Sequence, residues 1–497
     1  MFRAFDACCD NDEDVSPPKS PRRDLGNSSD ENSCQMIIDN SENVLKIMRN
    51  LYYHKEMCDV YLKISNKEYA AHRLVLCASS DVFQAMLMKP EWTEWRESKI
   101  ELKELPQCEN VFHLFLEYLY TGRILITHTN VIAILALADK YIVKSLTRLC
   151  LNYMSKHIPH AANHNQLFSW LQYALNCGHK EVAIMCQNYI KWNFEAVANT
   201  PDFSNFEPEI FSNLLQQNDL LIYNEMVLFN CVSRWLDLQE IRLKQLGLEQ
   251  NEVDKHMLNL VESIMQSIRF TMMSPAELAD LILLPLVKRY SSFFLDKMAL
   301  GMAYHFGTLK GDKEIDPVQF TPRLYTCDRY STILSIEKVR DLPSYHVSTF
   351  VFSTHMSTCE SDSDKISEWT VDVYPKGVWF KKCLLIVWQG TLEVPEEIKP
   401  TVRLSLTCRE PKKEDFKVRV GILLYGLQGG VQHVLQVVEK ECYFNPTNKI
   451  MVVDDLLPFE ELNPPTSKSH KYRSPYLIGS DQNELKINLI ITPLSSL

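Results

Sequence analysis

Three closely spaced histidines are the residues whose types suggest metal chemistry. His157, His160 and His164 are three and four positions apart, a spacing that places imidazole rings on one face of a helix. Pro159 lies among them and interrupts that helix unless it opens a new one. No cysteine or carboxylate completes an obvious ligand set. The pattern favours a polar joint between two modules, and we predict neither a metal site nor a cofactor.

Asp59 and His72 are the one pair that suggests acid–base chemistry. They flank a predicted β-hairpin, where polar side chains usually hydrogen-bond to the backbone and fix the fold. The chain has no G-x-S-x-G elbow, no G-x-x-x-x-G-K-[ST] loop and no G-x-G-x-x-G motif after a strand. We therefore predict no catalytic residues and a protein that is not an enzyme.

A stretch with two tryptophans, KPEWTEWRESKIELKEL (89–105), suggests a surface instead. Trp92 and Trp95 lie between the predicted helix VFQAML and the strand KIEL, and Pro90 disfavours continuing that helix. Connecting loops lie on the surface, and an exposed tryptophan beside a carboxylate such as Glu94 is typical of an interface anchor. The alternative is that both rings fold back onto the core of their own module. The pattern alone does not decide between the two.

Composition and charge narrow the class of protein. The chain has 497 residues, of which 46% are hydrophobic and 23% charged, as in a soluble globular protein of several domains. A net charge of −11 argues against a surface that binds nucleic acid. The sequence has no apolar run long enough to predict a membrane span. The 15 cysteines follow no disulfide spacing, and the first residues lack the apolar segment of a secretory signal. We expect a cytoplasmic protein, with the nucleus as the alternative.

Sequence patterns divide the chain into four predicted regions. Residues 1–40 mix acids, serine and proline with little to bury, which predicts a disordered tail. Residues 41–158 predict an α/β module that begins with a helix over about 42–52 and continues into a hairpin from DVYLKI to EYAAH. Residues 159–300 are helical in pattern, except that dense charge over 240–256 predicts a loop or a solvated helix end.

From 301 to 497 the apolar residues alternate instead. Eight short segments read as strands: STFVFST, EWTVDVYP, CLLIVWQG, TVRLSLTC, FKVRVGILLYG, VLQVVEK, IMVVDD and ELKINLIITPL. Such a series predicts an antiparallel β-sandwich. The expected fold class is therefore multidomain, with an α/β module, an all-α module and an all-β antiparallel sandwich in that order.

The three modules resemble known domains. The α/β module resembles a BTB/POZ domain in CDVYLKISNKEYAAHRLVLCASSDVFQAML, KIELKEL, FLEYLYTGRI and ALADKYIVKSLTRLC. The helical module resembles a BACK domain, with Asp219, Glu225 and Trp235 at the positions of that family. The segment EWTVDVYPKG (368–377) is similar to the signature strand of MATH/TRAF-like sandwiches, where Trp369 and Tyr374 are expected to pack rather than to bind substrate. The chain thus resembles the BTB–BACK–TRAF-like group of BTB-domain-containing proteins.

The resemblance implies a function and a set of partners. Many BTB–BACK proteins are non-enzymatic substrate adaptors that bind the cullin three scaffold of a ubiquitin ligase through a hydrophobic–x–Glu motif. That motif falls on Trp92-Thr93-Glu94, with Trp95 as an alternative apolar residue. The resemblance also implies a homodimer through the first helix, with Leu45, Met48 and Leu51 at the interface, and a sandwich that captures an unidentified protein substrate along a sheet edge. The alternative function is a BTB-mediated scaffold or transcriptional co-regulator without cullin.

Overall fold

The computed structural model describes residues 39–308, 316–360, 365–387, 390–394, 396–411, 415–464 and 473–494. Almost all of the predicted tail, 1–40, lies outside these residues. The chain divides into two compact units, the first ending at Met57 and the second beginning at Cys58. The first unit contains helix α1, Ser41–His54, which confirms the predicted first helix. It ends where Lys55 takes the left-handed conformation (φ 54°) and donates its N–H to the Leu51 carbonyl.

The second unit opens with the α/β region. Its elements are β1 Val60–Ile64, β2 Lys67–Ala71, α2 Arg73–Ser79, α3 Asp81–Met88, β3 Lys99–Leu102, α4 Pro106–Thr121, α5 Val131–Lys140 and α6 Lys144–Lys156. The predicted hairpin is confirmed, because β1 and β2 pair antiparallel and alternate residues of β1 are buried. Strand β3 adds to the other side of β1 in parallel, which gives the order β2-β1-β3.

A helical region follows, as predicted. Its elements are α7 Ile158–Asn163, α8 Leu167–Asn176, α9 Lys180–Trp192, α10 Phe194–Ala198, α11 Pro208–Leu215, β4 Leu221–Ile222, α12 Glu225–Gln245, α13 Gln250–Met265, α14 Pro275–Leu281, α15 Pro285–Arg289 and α16 Ser291–His305. Long apolar side chains fill its interior, among them Trp235, which packs edge-on against Phe211.

The charged stretch 240–256 contains two solvated helix ends, one of the two predicted alternatives. Most of it is helical, since α12 continues to Gln245 and α13 starts at Gln250, and only a short turn separates them. Gly247 supplies the left-handed backbone (φ 76°) of that turn. The charges lie on solvated helix faces, where Glu240 pairs with Lys244 one turn later and with Arg289 of α15. The predicted solvated helix end is therefore confirmed, and the alternative of a loop over the whole stretch is wrong.

The C-terminal region is built from strands. They are β5 Leu324–Tyr325, β6 Ser331–Ile336, β7 Ser348–His355, β8 Ile366–Tyr374, β9 Val378–Phe380, β10 Cys383–Val387, β11 Gly390–Val394, β12 Glu397–Lys399, β13 Arg403–Cys408, β14 Phe416–Gln428, β15 Val431–Phe444, β16 Ile450–Val453 and β17 Leu485–Pro493, with a short helix α17, Phe459–Leu462. Two four-stranded antiparallel sheets, β16-β13-β8-β7 and β15-β14-β17-β6, enclose one apolar core. Each of the eight predicted segments contains a strand among the described residues, and the antiparallel sandwich is confirmed.

Trp369 of β8 lies at the centre of the sandwich core. Its ring is fully buried, and its indole N–H donates to the Thr354 hydroxyl of β7 at 2.8 Å. The expectation that Trp369 packs rather than binds substrate is confirmed. Strand β6 was not predicted, because Ile333 points to solvent beside the buried Leu334 and so disturbs the alternation of apolar and polar residues.

Backbone pairing joins the helical region to the sandwich. Strands β4 and β5 pair in parallel, with Ile222 opposite Tyr325, and the Thr326 N–H donates to the Ile222 carbonyl at 2.9 Å. Beyond the end of α9, the Asn193 side chain accepts the Val434 N–H at 2.9 Å and donates to the Val434 carbonyl at 3.3 Å, like a neighbouring strand. The two regions are therefore docked by main-chain hydrogen bonds and not only by apolar contact.

A buried ion pair lies at this joint. Arg323, just before β5, donates from Nε to Oε1 of Glu225, the first residue of α12, at 2.7 Å, and both side chains are fully buried. The same carboxylate accepts hydrogen bonds from the Tyr325 hydroxyl at 2.8 Å and from the backbone N–H of Arg269 at 3.3 Å. Burial, followed by the Glu225 charge, raises the pKa of Tyr325 well above its ordinary value, so that the hydroxyl remains a donor. Burial, reinforced by the Arg323 charge, lowers the pKa of Arg269 to about 10.

We predict that Arg323→Met destabilises the protein strongly. It leaves the Glu225 carboxylate buried without its cation, and such a loss typically costs about 3–5 kcal/mol. Urea unfolding followed by circular dichroism measures the effect. Arg403→Met is the matched control, because Arg403 pairs with the half-exposed Asp454, and a pair near the surface contributes roughly 1 kcal/mol or less. Equal urea midpoints for the two variants would contradict the importance given to the buried pair.

Candidate functional site

The tryptophan loop, residues 89–98, connects α3 to β3. Helix α3 ends at Met88, two residues before Pro90, in agreement with the predicted effect of that proline. The chain then forms one 3₁₀ turn, Thr93–Trp95, in which the Trp95 N–H donates to the Trp92 carbonyl at 3.3 Å. The loop is thus a short, hydrogen-bonded turn.

Both indole rings of the tryptophan loop lie at the surface of their module. Trp92 is 48% exposed and Trp95 is 39% exposed. The Arg96 guanidinium lies 5.4 Å from the centroid of the Trp95 ring, in cation–π contact. Glu94 is half-buried, and its carboxylate accepts the Thr93 hydroxyl at 2.8 Å. The alternative in which both rings fold back onto the core is therefore wrong.

Arg73, in the first turn of α2, holds the tryptophan loop in place. Its guanidinium donates to the carbonyls of Glu94 at 3.4 Å and Trp95 at 3.3 Å, and also to the carbonyl of Glu97. A planar guanidinium can satisfy several carbonyls at once, which fixes the course of the loop backbone. Sequence reasoning missed this role, because a side chain that binds carbonyls needs no particular partner residue.

Asp59 and His72 make structural hydrogen bonds, as predicted. The Asp59 carboxylate accepts the Arg73 N–H at 2.8 Å and so caps the start of α2. The His72 N–H donates to the Tyr120 hydroxyl at 2.9 Å, and the His72 ring lies 2.8 Å from the same oxygen through Nδ1. Both side chains are used to join β2, α2 and α4.

A groove of about 1000 Å³ lies between α6 and α9. Apolar Ile142, Leu151 and Met185 line it together with the basic Lys144 and Arg148. Apolar lining with a few charged groups is typical of a surface that binds a peptide segment.

Asp139 of α5 fixes the walls of this groove. Its carboxylate accepts the Tyr173 hydroxyl of α8 at 2.9 Å and lies 2.8 Å from Nε2 of His179. The groove also approaches the helix that leads into the tryptophan loop, because the Ser80 hydroxyl before α3 donates to the Tyr141 carbonyl beside Ile142. No local sequence signal marks the groove, since its walls are distant in the chain.

The histidine cluster differs from the predicted one. Pro159 opens the new helix α7, the exception allowed for in the sequence analysis. His160 and His164 lie together with ring centroids 4.2 Å apart, but His157 instead stacks on Tyr153. The third imidazole near the pair is His128, from the loop between α4 and α5. His128 could not be found from spacing, because more than one helix separates it from the others in sequence.

Helix α1 carries the residues predicted for a dimer interface. None of its residues is buried, and Leu45 is exposed while Met48 and Leu51 are half-buried. The three follow at steps of three residues, so they share one side of the helix.

Three family models match the chain in the order of its folded regions. The BTB/POZ domain matches residues 48–158, the BACK domain (BTB And C-terminal Kelch) matches 167–283, and the BTBD17 TRAF domain matches 320–495. The chain therefore carries a BTB/POZ domain, a BACK domain and a TRAF-like domain, in that order. The resemblance read from the sequence is confirmed.

Curated relatives of this BTB–BACK protein agree with that assignment. BTB/POZ domain-containing protein 17 of Xenopus laevis is 24% identical over 352 residues, 69% of each chain. Its namesake in Homo sapiens is 31% identical over 205 residues, 40% of this chain and 41% of the relative. Human Kelch-like protein 7 is 28% identical over 195 residues, 39% of this chain and 32% of the relative.

The BTB–BACK family is one of protein-interaction adaptors, and this favours a role in binding other proteins over one in catalysis. Among the helices of the described residues, none combines the length and the apolar character needed to cross a membrane.

Proposed function

We propose that this BTB–BACK protein is a non-enzymatic substrate adaptor of a cullin-RING ubiquitin ligase. In this proposal the BTB domain binds the cullin scaffold through Trp92 and Glu94, and the C-terminal sandwich binds the substrate. The observation that carries the proposal is the exposed Trp92 ring beside Glu94 in a loop fixed by Arg73. An aromatic residue on a fixed loop backbone loses less conformational entropy when it enters a partner's pocket than one on a mobile loop.

The contacts of the two tryptophans favour Trp92 over Trp95 as the anchor. Arg96 already covers part of the Trp95 ring, and Trp95 is the less exposed of the two. The Glu94 carboxylate accepts the Thr93 hydroxyl through one oxygen, which orients it without neutralising its charge. Trp92 therefore supplies the apolar contact and Glu94 the polar one.

The groove between α6 and α9 supports a second contact with the scaffold. Its apolar walls with Lys144 and Arg148 suit an extended segment that carries both apolar and acidic side chains. The bond from Ser80 to Tyr141 connects this groove to the helix before the tryptophan loop. One scaffold could therefore contact both surfaces.

The outer strands of the sandwich are the proposed place of substrate binding. Strand β7 is the outer strand of one sheet and β6 of the other, and an outer strand can pair with an extended peptide. We favour β7, because residues along it alternate between the core and solvent and leave Val351, 53% exposed, beside the edge.

Two further properties belong to the proposal. Helix α1 is proposed to form a homodimer through Leu45, Met48 and Leu51, because an apolar side with no buried residue suits a symmetric interface. A reducing compartment, the cytoplasm or nucleus, is proposed because the eleven cysteines whose side chains the structure describes are free thiols.

We predict that Trp92→Ala with Glu94→Ala weakens scaffold binding strongly. Truncating an anchoring tryptophan typically costs about 2 kcal/mol or more, roughly thirtyfold in affinity. Calorimetry with the purified cullin amino-terminal domain measures the loss. Trp95→Ala is the matched control and should bind within about threefold of wild type. Arg73→Met should weaken binding as well, because it frees the loop carbonyls. Undiminished binding by the double variant would leave the cullin-independent scaffold as the better function.

We predict that Leu45→Asp with Met48→Asp converts a dimer to a monomer. Each charge enters a symmetric interface twice, so we expect dimerisation to weaken by about 3 kcal/mol or more, over a hundredfold. Light scattering after size-exclusion chromatography reports the mass. Asn50→Asp, on the opposite side of α1, is the control and should remain dimeric. A monomeric wild-type chain at micromolar concentration would rule the interface out.

We predict that Val351→Lys removes substrates but not the scaffold. A lysine beside the β7 edge should disfavour strand addition by roughly 1.4 kcal/mol, about tenfold. Affinity purification with mass spectrometry measures the co-purified proteins, with their amounts normalised to cullin. The matched control is Ile333→Lys on β6, where the native side chain is 57% exposed. If both variants lose the same proteins, or if neither variant loses any, β7 is not the binding edge.

A further inference from the structure

Three imidazole rings converge at the end of the BTB domain. His128 lies in the loop between α4 and α5, His160 lies on α7, and His164 follows the last turn of α7. One ring nitrogen of each lies within 4.8 Å of those of the other two. His160 and His164 also fall between the segments that match the BTB and BACK families.

The His128 loop is held by its neighbours. Asn130 accepts the Thr127 N–H through Oδ1 at 2.7 Å and donates from Nδ2 to the Leu125 carbonyl at 3.0 Å. The Val131 N–H closes the turn by donating to the Thr127 carbonyl at 3.1 Å. His128 therefore projects from a turn that is fixed on both sides, which lowers the entropy lost when its side chain is immobilised.

The other two rings are presented by α7. His160 and His164 are four residues apart, so they share one side of the helix. Nδ1 of His164 lies 2.8 Å from the His160 carbonyl. A carbonyl can only accept, so Nδ1 carries the proton and Nε2 keeps a free lone pair. Metal-binding histidines are oriented in this way by a backbone carbonyl.

The three rings lie close together. The centroid of the His128 ring lies 4.2 Å from that of His164 and 5.3 Å from that of His160. Neutral imidazoles crowded together leave several lone pairs facing one small volume. A divalent cation would satisfy them all.

We propose that His128, His160 and His164 bind a Zn²⁺ ion that joins the BTB domain to the segment leading into the BACK domain. Three neutral imidazoles are a known zinc ligand set and leave a fourth position for water or a partner's side chain. Zn–N bonds of about 2.0–2.1 Å place tetrahedral ligand atoms roughly 3.3 Å apart. The three nitrogens now lie within 4.8 Å of one another, so the rings would turn toward a common centre to bind the ion.

A bound ion would stiffen the junction between the two domains. It would connect the turn before α5 to α7, which directly follows α6, one wall of the groove. This role is independent of the proposed cullin contact, because none of the three histidines belongs to the tryptophan loop or lines the groove.

Hydrogen exchange locates the site in the full-length protein. We expect Zn²⁺, added to the chelator-treated chain, to slow exchange in segments 124–131 and 158–166. His128→Gln, His160→Gln and His164→Gln should each remove that protection and weaken the zinc affinity measured by calorimetry at least about tenfold. His157→Gln is the matched control and should behave as wild type, because His157 stacks on Tyr153 instead. Thermal melts in chelator confirm equal folding of the four variants.

Two outcomes overturn the proposal. Zinc binding without protection of the two segments would assign the metal to other groups, such as the cysteine thiols. Equal protection in wild type and in His160→Gln would exclude the cluster as well. Neither outcome bears on the proposed cullin contact, which the Trp92 and Glu94 variants test separately.

Discussion

The buried pair of Glu225 and Arg323 is the interaction that makes the helical region and the sandwich one structure. A carboxylate and a guanidinium without water are stable together only when their remaining donors and acceptors are satisfied. Here the Tyr325 hydroxyl and the Arg269 backbone N–H donate to the carboxylate. The guanidinium donates to the carbonyls of Gln217 and Ser267. Any displacement of the sandwich would break several of these bonds at once. The joint is consequently specific in geometry and cooperative in energy.

The order and type of the modules followed from sequence because hydrophobic period is a local property. Helices repeat at three and four residues and exposed strands at two, and both periods were readable over most of the chain. The failures have local causes too. The charges of 240–256 left a loop and a solvated helix end as alternatives, and Ile333 beside Leu334 concealed β6. The hydrophobic period identifies the buried face of a helix or strand. It fails where the buried and the exposed face carry similar residues.

Sites were less predictable, because they depend on partners distant in sequence. Trp92 was recognisable from Pro90 and the neighbouring charges, but its anchor Arg73 acts on backbone carbonyls that any residue could supply. His128 meets His160 only once the loop before α5 lies beside α7, and the groove forms only once α6 and α9 are adjacent. The buried Glu225 was recognisable as a position of the family, whereas its partner Arg323 was not.

The parallel pairing of β4 with β5 has a consequence for the reach of the molecule. Because the sandwich is fastened to the helical region at this point and at Val434, it behaves as a stiff spacer rather than a tethered arm. Cargo held on its edge would be presented at a set radius and angle from the rest of the assembly. Under the proposed function, selection would then depend on where acceptor lysines lie on the cargo's surface, and a well-bound protein with its lysines out of range would be spared.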